Sequence, residues 1–245
     1  MIYTFGDSWT AKWQEWTPWP EVLASRYNIP TKNFAVAGMS NQQILDEVIQ
    51  QSVMRPPEEK VDHVIIAFTS IDRLTASLNA NVELCVTYQY EVTWYQDIQR
   101  ALFKDVGIDE LIKDSWKKMK CMRHLIKTIY DCDVTFIPVF EDCDFWRERG
   151  IKHSFINMLF FSQYGRYLAY DAPVYEPGIL QVVNEFATAW TEKHLNHDYE
   201  RAYFERTHYI DNSTHFDDTL HPNQSGHDAL AEYMVKNLNI SRFSS

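Results

Sequence analysis

The chain has 245 residues, 45% of them hydrophobic, enough to bury one sizeable core, so a single α/β domain spanning residues 1–245 is expected. Its 34 acidic and 23 basic residues give a formal net charge of -11, which argues against a surface built to neutralise phosphates and so against nucleic acid as a partner. Four cysteines, Cys85, Cys121, Cys132 and Cys143, show no tight metal-binding spacing and read as free thiols in a reducing compartment.

No basic segment followed by an apolar stretch opens the sequence, and no apolar run approaches the ~20 residues that span a bilayer. No signal peptide and no membrane are therefore expected, and the protein is expected to be cytoplasmic or otherwise soluble. Ile2 to Phe5 is a short apolar run stopped by Gly6 and Asp7, and Trp19, Leu23 and Tyr27 follow at helical spacing. A second run from Asn33 to Ala37 ends at Gly38, after which Ile44, Leu45, Val48 and Ile49 mark the apolar face of a second helix. The β-branched run Val61 to Phe68 has the character of a strand covered on both faces and predicts the central strand.

From Asp109 to Tyr130, apolar residues recur at three and four positions and lead into a strand over Val134 to Phe140. Asn223 is placed to cap a last helix whose inner face is Ala229, Leu230, Tyr233, Met234 and Leu238. Strand and helix thus alternate, which implies a parallel sheet. Two stretches break the pattern, about 74–108 and about 141–177, and both read as insertions over one end of the sheet. A fifth strand is expected before the last helix, with Tyr203 to Ile210 as its candidate despite poor alternation.

In an open parallel sheet the functional groups collect in loops after the strands, which here carry Ser8, Gly38, Thr69, Ser70 and, downstream, Asp218 and His221. Serine is a weak nucleophile at neutral pH unless a base takes its proton, and a histidine does so best when a carboxylate holds its tautomer. Ser8, His221 and Asp218 supply that set. Backbone amides at Ser8 and Gly38, on adjacent strand-to-helix turns, are placed to stabilise an oxyanion.

These residues also resemble a known family. Phe5-Gly6-Asp7-Ser8-Trp9 is similar to the first block of SGNH (GDSL-like) hydrolases, and Asn33-Phe34-Ala35-Val36-Ala37-Gly38 to the second. Asp218-Thr219-Leu220-His221-Pro222-Asn223, followed by Gly226-His227, resembles the last. The resemblance implies a flavodoxin-like three-layer α/β/α sandwich with a mainly parallel sheet of about five strands. It also implies a nucleophilic Ser8, a base His221 oriented by Asp218, an oxyanion hole that includes the Ser8 and Gly38 amides, and no metal or organic cofactor. The substrate would be a small-molecule ester or an acylated glycan. Oligomeric state cannot be read from the sequence.

One block departs. Where the family places an Asn before the residue aligned with Asp72, this sequence has Ile71, which donates no hydrogen bond. Loss of one oxyanion donor typically costs ~10²–10³ in rate, and Ser70, Thr69 and Asn41 are the local substitutes. Asn41 is either that donor or a helix N-cap. Asp7, Trp9 and Thr69, beside the nucleophile and the third strand, are candidate substrate contacts. Trp19 reads as core, while Trp13 and Trp16 fit either core or site. His215, His221 and His227 recur every six residues, a spacing that does not place imidazoles on one helical face, so no metal site is expected. The competing function is a catalytically silent SGNH fold used for glycan binding or assembly, which the vacant Asn position favours and the retained Ser8, Asp218 and His221 oppose.

Overall fold

The computed structural model describes residues 1–54, 59–69, 74–79, 82–86, 108–139, 153–167, 208–218, 221–238 and 240. Four strands, β1 (Ile2–Phe5), β2 (Thr31–Asn33), β3 (His63–Phe68) and β6 (Asp133–Pro138), form a parallel sheet in the order β2-β1-β3-β6. The helices are α1 (Trp19–Tyr27), α2 (Asn41–Ile49), α3 (Ile108–Tyr130), α4 (Phe155–Tyr164) and α5 (Gln224–Asn237), and a π-helical turn, Gln50–Met54, extends α2. A separate antiparallel hairpin, β4 (Leu74–Asn79) with β5 (Val82–Val86), lies in the first expected insertion.

Alternation along the strands sorts side chains onto two faces. Ile2, Ile65, Ala67, Ile137 and Val139 join one core cluster with Trp19, Leu23, Phe155, Leu159, Leu230 and Met234, from α1, α4 and α5. Tyr3, Phe5, Val64, Ile66, Phe68 and Phe136 join the other with Ile44, Val48, Met119, Met122 and Ile126, from α2 and α3. Helices therefore cover both faces of the sheet, and the architecture is a three-layer α/β/α sandwich.

Two expectations about elements are corrected. Tyr203 to Ile210 was the candidate fifth strand, but 208–210 lie in a short helix over 208–212, and 203–207 fall outside the described residues. The second strand is Thr31–Asn33, earlier than the apolar run at 33–37. Residues 34 and 36 still track β1, with the Phe34 amide donating to the Thr4 carbonyl at 2.8 Å and the Val36 amide to Gly6 at 3.2 Å. The described part of 141–177 includes α4, whose Phe155, Ile156, Met158, Leu159 and Phe160 are all buried in the core.

Candidate active site

The strand order reverses between β1 and β3, so the chain leaves their carboxyl ends toward opposite sides and opens the crevice where ligands of such sheets bind. Ser8 follows β1 and Thr69 follows β3. Polar side chains lace these loops together. Both Asp7 oxygens are used, Oδ1 accepting from the Trp9 amide at 3.0 Å and Oδ2 from Thr69 Oγ1 at 2.7 Å. The Asp7 carbonyl also accepts from the Thr10 and Ala11 amides, closing a tight turn around Ser8.

Asn33 ties the second strand to the Ser8 loop. Its Nδ2 donates to the Thr10 carbonyl at 2.7 Å, and its Oδ1 accepts from Thr4 Oγ1 at 2.9 Å and the Ala35 amide at 3.1 Å. Past it, Gly38 has φ 85, a backbone setting that favours glycine, at the turn into α2. The N-cap of that helix is Ser40, in a capping box with Gln43, so the alternative reading of Asn41 as cap is corrected by one residue. Asn41 instead clasps the main chain of Thr69: Nδ2 donates to its carbonyl and Oδ1 accepts from its amide, each at 3.0 Å.

From the far end of the chain a short turn brings His221 to this cluster. Phe216 and Pro222 pair across it, the Asp217 amide donates to the His221 carbonyl at 2.9 Å, and Asp217 Oδ1 accepts from the His221 amide at 3.0 Å. The Asn223 side chain accepts from the Gly226 amide, as expected of the α5 N-cap. The turn sits tight against α5, since a Cβ on Gly226 would lie 2.3 Å from the His215 carbonyl oxygen. As a result His221 Nε2 and Ser8 Oγ are in hydrogen-bond contact at 2.9 Å. Ser8 is buried and His221 half-buried, so the pair is more open on the histidine side.

Of the histidines spaced six apart, His215 and His227 lie away from the Ser8 contact. His215 Nδ1 meets the Tyr209 hydroxyl at 3.0 Å, and burial lowers its pKa. His227 is fully enclosed, its pKa pushed down to about 4, chiefly by burial, and among the described residues neither ring nitrogen has a hydrogen-bond partner.

Of the sequence candidates, the structure brings Ser8 and His221 together. Asp218 is exposed, and the carboxylate shown in contact with His221 is that of its neighbour Asp217. Ser70 and Ile71 lie outside the described residues. The candidate substrate contacts Asp7, Trp9 and Thr69 are all buried, as Ser8 is. Asp7 and Thr69 are engaged with each other, and Trp9 packs in the core between Phe155 and Phe216, ring centroids 6.5 and 5.6 Å away. Trp19 is core as expected. Trp13, undecided from sequence, stacks on the His221 ring with centroids 4.5 Å apart and planes 18° from parallel. Asn33 was read only as part of a block, and no sequence signal marked its bridging bonds.

No protein-family model matches the chain, and neither does any curated protein. Among solved structures, the chain is similar to a member of the lipolytic protein G-D-S-L family from Veillonella parvula DSM 2008, with TM-score 0.44 and 16% sequence identity over 97% of both chains. It is also similar to the lipase/acylhydrolase from Enterococcus faecalis, with TM-score 0.41 and 18% identity over 98% of this chain and 95% of that one.

Proposed function

We propose that this chain is a serine hydrolase of the SGNH (GDSL-like) type that cleaves an ester through an acyl-enzyme on Ser8. The observation that carries the reading is the 2.9 Å contact between Ser8 Oγ and His221 Nε2, at the carboxyl end of a parallel sheet where its strand order reverses. In this mechanism His221 Nε2 takes the serine proton as Oγ attacks the acyl carbonyl. The imidazolium then gives that proton to the departing alkoxide, and a water molecule, deprotonated by the same nitrogen, releases the acid from Ser8. The Ser8 and Gly38 amides are the proposed oxyanion donors, and short-chain acyl esters or O-acetylated carbohydrates the proposed substrates.

Asp217 holds the turn that carries His221, and in this reading it takes the positioning part that the motif implied for Asp218. Asn41 braces Thr69, which leaves its second Nδ2 proton as the most it can offer an oxyanion. The rival reading, a silent fold that binds glycans, is favoured by Ile71 in place of the third-block Asn. Hydrolysis of short-chain aryl esters and acetylated sugars tests the enzyme directly. Ser8→Ala and His221→Ala should each reduce turnover to near background, because nucleophile and base act as a unit. Wild-type-like turnover in folded Ser8→Ala protein would remove the mechanism.

A further inference from the structure

Trp13 lies in the loop after Ser8, half-buried, with its indole stacked on the face of the His221 imidazole. The histidine is therefore held in two directions, at its edge by Ser8 Oγ and across its face by the indole. Among the described residues the buried indole Nε1 has no hydrogen-bond partner. What the site takes from Trp13 is its π face, the surface that attracts a cation.

We propose that Trp13 is a positioning residue, whose indole face keeps the His221 imidazole in line with Ser8 Oγ and stabilises the imidazolium formed when the serine proton is taken up. This rests on the reading of Ser8 and His221 as nucleophile and base. Other ionisable groups of the surrounding elements are Asp7, Lys12 and Glu15 on the loop after β1, His215, Asp217 and Asp218 on the segment of His221, and His227, Asp228, Glu232, Tyr233 and Lys236 on α5. Exchanging Trp13 leaves all of them in place, so its own effect on the imidazole can be isolated.

The test compares wild type, Trp13→Leu and Trp13→Phe in two readouts. One is the pH dependence of kcat and KM for an aryl acetate. The other is the NMR titration of the His221 Cε1 proton, assigned by its absence in His221→Asn. With the π face gone, Trp13→Leu should lower the His221 midpoint by ~0.5–1 pH unit and kcat by ~10-fold, with KM little changed. Trp13→Phe should restore most of both.

An unchanged midpoint overturns the proposal. So does a raised one, which would mean the indole only kept water from the ring, and so does an effect confined to KM, which would make Trp13 a wall of the substrate pocket. If Trp13→Leu does not fold, a Trp13→Phe midpoint within ~0.3 of wild type with kcat retained supports the proposal, and a larger change in either contradicts it. Absence of ester turnover in wild type would remove the hydrolase reading instead, while the NMR midpoint still reports whether the indole acts on the imidazole.

Discussion

A carboxylate can position a catalytic imidazole by bonding its ring or by fixing the backbone that carries it, and the two adjacent aspartates separate these possibilities. Asp217 grips the His221 amide from inside the turn, whereas Asp218 is exposed. Asp217→Ala should therefore lower kcat by ~10²-fold, the scale of a misplaced catalytic group, and Asp218→Asn by less than ~10-fold. The reverse order would restore Asp218 as the orienting residue. Asn41 is tested at the same scale. Asn41→Ala would leave the Thr69 amide and carbonyl buried without partners, a loss of ~2–4 kcal/mol in denaturant unfolding. A fall in kcat of ~10²-fold with stability intact would instead make Asn41 an oxyanion donor.

Among the elements, α5 carries a built-in pH dependence. Burial holds His227 neutral down to about pH 4, while an unfolded histidine takes up a proton near pH 6.5. Between those values the unfolded chain binds a proton that the folded chain does not, so stability is full above about pH 6.5 and falls as the pH drops toward 4, by up to ~3 kcal/mol. His215, lowered by burial as well, adds in the same direction. Urea midpoints between pH 4 and 7 should show His227→Leu losing much less stability on acidification than wild type, and parallel curves would contradict this. Legibility also differed by element. α1, α3 and α5 were readable because each has one wet face, which leaves a 3.6-residue pattern. The first turns of α4 are buried all round, so Phe155 to Phe161 is a nearly unbroken apolar run with no period to read. The short helix at 208–212 lacks the length to show a period and was mistaken for a strand.

At the scale of the whole molecule, the parallel sheet was visible because strands covered on both faces leave continuous apolar runs, and both members of the Ser8–His221 contact sit in recognisable local blocks. The interlocking bonds between loops were not visible. Asp7, Trp9 and Thr69 are candidate substrate contacts by their nearness in sequence to Ser8, and sequence alone did not show that all three are buried, with Asp7 and Thr69 bonded to each other. The Trp13–His221 stack joins the two ends of the chain and depends on the packing of the intervening fold. What this packing is proposed to produce is one activated serine, and that is directly measurable. Wild-type protein treated with a fluorophosphonate probe should acquire one adduct, mapped by peptide mass spectrometry to the peptide containing Ser8, with labelling abolished in Ser8→Ala and strongly slowed in His221→Ala. Absence of labelling at Ser8 in folded wild-type protein, or equal labelling of the His221→Ala variant, would contradict the account.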